Sequence, residues 1–253
     1  MFAAERYRSI VERVSGMGRA SVIDLAGDLD VAPETIRRDL SELERQGLVR
    51  RVHGGAVAVG TVGFETSVDS RSALLIAEKD RIAAAAIAEL PVEGAVIIDA
   101  GTTTGRMLGL IPEDHKLTVI TDSVAHAMAL ANHANINTLL LGGRLRPNTL
   151  ACVDQWTLNA LSGLYADLAF VATNGISLDR GLTTPDPAEA AVKQAMLKAA
   201  KRKIILADHS KFGEDHFAQF GTVDQADLII SDSGLSIDMA AEYRDAGYEL
   251  VCA

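Results

Sequence analysis

The sequence predicts an α/β protein in which a small N-terminal winged helix-turn-helix precedes a larger, mainly parallel sheet with helices on both faces. Three observations carry this. Residues 4–57 run through three short amphipathic segments and then a Gly-Gly hairpin. From residue 73 onward, short continuous apolar segments alternate with amphipathic ones, the pattern of parallel strands buried on both faces. Between them, residues 58–72 lack periodicity and carry Gly60 and Gly63. The expected organisation is a head at 1–57, a linker at 58–72 and an α/β domain at 73–253.

In the head, Tyr7, Ile10, Val11 and Val14 form one apolar stripe on a helix over 4–16, ended by Gly16-Met17-Gly18. Ser21 is placed to cap a second helix through Val22, Leu25, Ala26 and Leu29. Asp30-Val31-Ala32 makes a tight connection. A third helix starts at Pro33, a residue favoured at the first helical position, and runs to about Gln46, with Gly47 as its C-terminal cap. Leu48 to Val57 then reads as strand, Gly54-Gly55 turn and strand. In the second part, a helix is expected over 73–90. Strands follow at 95–98, 117–120, 138–141, 168–172, 204–207, 228–230 and 249–252, and helices at 104–110, 124–132, 188–201 and 236–246.

Composition narrows the class. With 48% apolar and 23% charged residues the chain has ample material for a core. The net charge of −10 is unevenly spread: residues 1–60 hold nine Arg and nine carboxylates, so the acidity belongs to the remainder. A neutral head binds phosphates only through a local patch. Cys152 and Cys252 have no metal-type spacing and read as reduced thiols. His209 and His216 are too isolated to argue for a metal and read as solvated. The N-terminus has no apolar run of signal-peptide kind, and the longest apolar run, Ile82 to Ala88, is far too short to span a bilayer. The expectation is a cytoplasmic protein without membrane association, metal or cofactor.

The third helix carries Thr35-Ile36-Arg37-Arg38-Asp39-Leu40. With Ile36 and Leu40 inward, Thr35, Arg37 and Arg38 lie outside near the N-terminus, the end that enters the major groove in a helix-turn-helix. Arg50, Arg51 and His53 fall on the hairpin, where a wing meets the flanking backbone, and Ser21 begins the first helix of the motif. A solvated basic face is the plain alternative, but two Arg pairs at matching places in a three-helix-plus-wing pattern favour DNA. The run Glu34 to Leu40 followed by Gly47 to Ala56 resembles the signature of DeoR-type regulators. One departure is Ala32, where that family usually has a capping Ser, a loss of roughly 1 kcal/mol.

Downstream, four polar turns follow strand ends: Asp99-Ala100-Gly101-Thr102-Thr103-Thr104, Thr121-Asp122-Ser123, Gly142-Gly143-Arg144 and Asn174-Gly175. In an open parallel sheet such turns converge at the carboxyl edge of the strands, where ligands bind. The first of them exposes N–H groups and hydroxyls suited to an anion. Glu189 and Lys193 lie four apart on one helix face, either a surface ion pair or part of a site, and Lys211 either reaches a phosphate or caps its turn.

Together these residues resemble the sugar-sensing C-terminal domain of DeoR-type regulators, which is similar in fold to ribose-5-phosphate isomerase. The resemblance implies that these turns and the Glu/Lys helix line the site of a phosphorylated sugar effector, and that the partners are operator DNA and further copies of the chain. Asp122 replaces a more usual Asn, and Asp154 stands where many members have Gly; either carboxylate would repel phosphate unless matched. Asn174-Gly175-Ile176 and Gly181 to Asp186 are most similar to the branch controlling fructose and related operons, which points to fructose 1-phosphate. The reading is a repressor of a sugar-utilisation operon, not an enzyme. The alternative is an isomerase-like enzyme with an accessory DNA-binding head, for which Asp99, Asp122 and Glu189 are the candidate bases.

Overall fold

A computed structural model describes residues 3–45, 48–52, 54–58 and 68–253. Gln46, Gly47, His53 and the first part of the expected linker, 59–67, lie outside the described residues. The chain divides into two compact units, Met1–Thr66 and Ser67–Ala253.

The first unit holds α1 (Ala3–Met17), β1 (Arg19–Ser21), α2 (Val22–Asp28), α3 (Pro33–Arg45), β2 (Val49–Val52) and β3 (Gly55–Ala58). The sheet is antiparallel with order β1-β3-β2, so the expected hairpin gains a third strand. The two wing glycines serve different ends. Gly54 has φ 78°, a left-handed turn that glycine adopts freely. At Gly55 a Cβ would come within 2.2 Å of the Ala20 carbonyl oxygen, so only glycine lets β1 pair there. Ile10 and Val14 of α1, Leu25 of α2, and Ile36, Leu40 and Leu43 of α3 bury against Val49 and Ala56. Each such side chain is worth roughly 1.5–3 kcal/mol on full burial. Asp39 of α3 is buried and accepts from Arg6 Nη2 at 2.9 Å.

The second unit opens with α4 (Val68–Ser72), a helical turn within the stretch expected to be linker, and α5 (Ile76–Ile87). Leu75, with φ 50°, breaks the helix expected from residue 73. Then follow β4 (Glu93–Ile98), α6 (Thr102–Met107), β5 (Lys116–Thr121), α7 (Val124–Leu130), β6 (Ile136–Leu140), β7 (Arg144–Leu145), β8 (Cys152–Val153) and α8 (Gln155–Ser162). The rest is β9 (Ala166–Ala172), β10 (Gly175–Ser177), β11 (Gly181–Thr184), α9 (Pro187–Lys198), β12 (Ala200–Leu206), β13 (Ala218–Gly221), β14 (Leu228–Ser231), α10 (Ile237–Asp245) and β15 (Leu250–Cys252).

Seven strands form one parallel sheet, ordered β15-β14-β12-β9-β4-β5-β6. Alternate residues bury on opposite faces. Ile97, Val171, Ile205 and Ile229 pack with Leu161, Met196 and Tyr243 of α8–α10. Val96, Ile98, Phe170, Ile204 and Ile230 pack with Ile82 and Ala86 of α5 and with Met107. The continuous apolar runs follow from burial on both faces. The helix expected over 188–201 ends at Lys198, because Ala200 joins the sheet opposite Ala166. α8, the antiparallel trio β10-β11-β13 and the pair β7-β8 were not expected. From β4 the chain moves outward through β5 and β6, then crosses to the other side of β4 and moves outward again from β9. The carboxyl ends of β4 and β9 therefore flank the switch point, where a parallel sheet leaves a crevice. Both cysteines are free thiols.

Candidate functional site

On α3 the apolar stripe Ile36, Leu40 and Leu43 is buried, which turns Arg37 and Arg38 to solvent and leaves Thr35 half-buried. Arg37 Nη1 donates to Glu34 at 2.8 Å with both side chains more than half exposed, a pair too weak to hold the guanidinium. Arg50 and Arg51 are exposed on β2. Arg51 Nη1 donates to Ser41 Oγ at 2.8 Å and its backbone N–H to Glu44 at 2.8 Å, which pins the wing to α3. Ser21 Oγ accepts from Asp24 N at 3.0 Å, so its place in the motif is that of the helix cap. α3 has no side-chain oxygen at Ala32, and there the Ala32 carbonyl accepts from Thr35 N at 2.9 Å.

In the second unit, a cavity of about 240 Å³ opens at the switch point. Its floor is the β4–α6 turn, Ala100 to Thr103, and the end of β9, Ala172 to Asn174. Gly101 is required there, since a Cβ would meet Ala172 Cβ at 2.6 Å. Thr104 locks the turn: its hydroxyl donates to Asp99 O at 2.8 Å and accepts from Gly101 N at 3.0 Å. Beneath it lies a buried ion pair. Asp99 contacts Lys193 and accepts from Ala172 N at 3.1 Å, while Lys193 Nζ donates to Ala172 O at 2.8 Å. Burial works against the Lys193 charge, yet Asp99 and Glu189 outweigh it and hold its pKa above the ordinary value.

Glu189 and Lys193 share a face of α9 but do not pair with each other. Glu189 instead pairs with Arg146 and accepts from Thr149 Oγ1 at 2.5 Å, and Arg146 also reaches Asp186 at 3.2 Å. This network was not anticipated. Neither were two further cations on the cavity wall. Lys79 of α5 is buried, donates to Leu74 O at 2.8 Å, and is lowered by burial to a pKa of about 8. Arg71 of α4 has Nε and Nη2 buried with no hydrogen-bond partner among the described residues. Lys211 completes the wall, 3.2 Å from Ser210 Oγ and 3.9 Å from Asp208.

The other expected residues fall elsewhere. Thr121 and Ser123 serve the backbone: Thr121 Oγ1 accepts from Ser123 N at 3.1 Å and Ser123 Oγ caps α7 at His126 N. Gly142, Gly143 and Arg144 line neither this cavity nor its neighbour. Gly143 allows close packing against Val153 and Thr157, and Arg144 holds Asp154 at 2.6 Å, so that carboxylate carries its own counter-charge. Gly175 packs against the Glu214 carbonyl, where a Cβ would come within 2.2 Å. His216 is not solvated as expected, while His209 stays one-third exposed. His209 Nδ1 lies 2.9 Å from Asp232, and His216 is buried with Nε2 3.2 Å from Asn174 O. Among the described residues, no cluster of three or more His, Cys, Asp or Glu is arranged to hold a metal.

Asp122 is buried and accepts from Ala100 N at 2.9 Å. Burial, and then the Asp99 charge, push its pKa from 3.8 up to about 8, against the opposing pull of Lys193. That shift favours the protonated acid at neutral pH, which lessens the repulsion of phosphate expected from this carboxylate. The unfolded chain loses this proton near 3.8 and the folded one near 8. Asp122 thus favours folding fully below 3.8, and that contribution is lost as pH rises to about 8. Asp122→Asn is expected to remove this slope and to stabilise the protein at pH 8 by ~1–3 kcal/mol, as neutral replacement of a buried acceptor allows. Urea unfolding at pH 5, 7 and 9 checks this. Parallel pH profiles for both proteins would show Asp122 to be ionised throughout.

The chain matches two family models: a DeoR-like helix-turn-helix domain over residues 6–62 and a DeoR C terminal sensor domain over 75–233. It is 38% identical to the HTH-type transcriptional regulator GlpR of Haloferax volcanii, covering 99% of this chain and 98% of that protein. It is 35% identical to the uncharacterized HTH-type transcriptional regulator FruR of Bacillus subtilis, covering 92% of each. It is 30% identical to the glycerol-3-phosphate regulon repressor of Escherichia coli, also covering 92% of each. Among solved structures, ribose 5-phosphate isomerase A from Methanocaldococcus jannaschii aligns with a TM-score of 0.39 at 14% identity, over 53% of each chain. No helix among the described residues is long and apolar enough to cross a membrane.

Proposed function

Because the chain belongs to the DeoR family of DNA-binding transcriptional regulators, we propose that it is a homo-oligomeric repressor of a sugar-utilisation operon, released from its operator by a sugar monophosphate. The observation that carries the ligand class is the convergence of Arg71, Lys79, Lys193 and Lys211 on one cavity in a unit of acidic composition, with Arg71 Nε and Nη2 unpartnered among the described residues. Buried guanidinium N–H groups without an acceptor are costly, and a phosphate supplies the missing acceptors. Lys193 is committed to Asp99, so Arg71, Lys79 and Lys211 take the phosphate, while Thr102, Thr103 and Asn174 face the ligand from the turn and the end of β9. The name of one relative, a glycerol-3-phosphate regulon repressor, favours a small phosphorylated polyol or sugar, and the resemblance of Asn174–Ile176 and Gly181–Asp186 to the fructose branch makes fructose 1-phosphate the first to try and fructose 6-phosphate the second.

No turnover is needed for such control. It is enough that the ligand binds one state of the protein better than the other. The test is thermal and calorimetric. A matching phosphorylated sugar at 100 times its Kd should stabilise the protein by about 2.7 kcal/mol, and the free sugar by almost nothing. Lys79→Ala together with Lys211→Ala should abolish the shift and leave operator binding intact. Equal stabilisation by free and phosphorylated sugar would overturn the phosphate assignment.

A further inference from the structure

We propose that a second cavity, walled by His126, receives the hydroxyl-bearing end of the same phosphorylated ligand and excludes a second phosphate. The proposal rests on the cationic cavity being the phosphate site. The second cavity, also about 240 Å³, shares the wall Ala100–Thr102 with the first. α4 contributes to both, Arg71 to one and Val68 and Ser72 to the other. Each alone is below the roughly 300–1,000 Å³ usual for small-molecule sites, and the pair falls within it.

The chemistry of the two walls differs. The first carries four cations. The second is lined by the hydroxyl residues Ser72, Thr102, Ser123 and Thr149, of which Ser123 also caps α7 and Thr149 is held by Glu189, and its cation among the described residues, Arg106, is held by Asp80 at 3.1 Å. His126 is 7% exposed, and its Nδ1 has no hydrogen-bond partner. Burial lowers its pKa, so the ring is neutral at pH 7 and has a single N–H. Nδ1 is thus a buried ring nitrogen with no hydrogen-bond partner among the described residues. The ring is also fixed in place: a Cβ on Gly105 would come within 2.8 Å of Nε2. Buried polar groups are rarely left unpaired. A ligand hydroxyl, which both donates and accepts, satisfies Nδ1 in either tautomer, whereas a second phosphate would find the lining cation Arg106 already paired with Asp80.

The experiment is calorimetric titration of the full chain with inorganic phosphate, glycerol 3-phosphate, fructose 1-phosphate, fructose 6-phosphate and fructose 1,6-bisphosphate. It compares the unmodified protein with His126→Phe and with Ala125→Met. Ala125 is exposed on α7 and lines the second cavity, so a longer side chain there intrudes without disturbing the core. It keeps the test open should His126→Phe fail to fold. In the unmodified protein at least one monophosphate ester is expected to bind tenfold or more tighter than inorganic phosphate, and the bisphosphate no tighter than that ester. Both variants should lose at least tenfold for the ester and stay within twofold for inorganic phosphate. If Ala125→Met retains full affinity for the ester, or if the bisphosphate is the tightest ligand, the proposal is overturned and the phosphate reading stands. A parallel loss of inorganic phosphate binding in both variants overturns it too, since the second cavity would then be part of the phosphate site. If no phosphate compound binds the unmodified protein, the reading of the cationic cavity falls, and this proposal with it.

Discussion

Lys193→Ala is expected to destabilise the second unit by ~3–5 kcal/mol, the cost of breaking one side of a buried ion pair. The side chain is 90% buried, contacts an Asp99 that is 1% exposed, and lies 5.6 Å over the Phe220 ring. Its removal strands Asp99 with Ala172 N as its remaining donor, beside Asp122. Two carboxyls facing each other without a cation would force proton uptake by the pair, so the loss should be largest at high pH. Joint replacement by Asp99→Asn and Lys193→Met should recover most of the stability, because it removes the stranded charge as well as its partner. Denaturant unfolding of the three proteins measures this directly. A cost below ~1 kcal/mol with loss of phosphate binding would mean that Lys193 meets the ligand rather than holding the frame of the site.

What could be foreseen divides along physical lines. The helices of the head and most strands of the sheet rest on local periodicity, and the structure places them within a few residues of expectation. β1 has three residues and exists only because Gly55 admits it, a pairing between segments over thirty residues apart. α8 and the trio β10-β11-β13 carry no strong period and are stabilised by packing on the finished sheet. Around the switch-point cavity the structure brings together Gly101, Thr102, Thr103, Asn174, Glu189, Lys193 and Lys211, with Asp99 beneath them on Lys193. Arg71 and Lys79 were missed for a plain reason: one sits in a stretch without periodicity, the other on a helix read only for its apolar face. A lysine at 79, four residues before the buried Ala83 and three before Ile82, was the available signal. The Asp99–Lys193 pair crosses 94 positions, and no spacing rule reaches that far.

In the head, the double replacement of Arg37 and Arg38 by alanine is expected to abolish operator binding at physiological salt. Each guanidinium that reads a guanine edge contributes ~1–3 kcal/mol of discrimination, and one that also neutralises a backbone phosphate adds a salt-dependent share to the deficit. The geometry sets both side chains free for this work. α3 buries Ile36, Leu40 and Leu43, so Arg37 and Arg38 emerge near its N-terminus, the end that enters the groove. Among the described residues Arg37 pairs with the exposed Glu34, a contact weak enough for DNA phosphates to displace. Arg51 differs. Its link to Ser41 ties β2 to α3, so Arg51→Ala should loosen the wing, weaken all sequences by a similar factor and flatten the salt slope by about one. Gel-shift titrations at two salt concentrations, against operator and scrambled DNA, separate the two cases. The Arg37/Arg38 protein should lose its preference for the operator, while the Arg51 protein should keep it at reduced affinity. Unchanged operator affinity in the double variant would rule out docking through the N-terminus of α3.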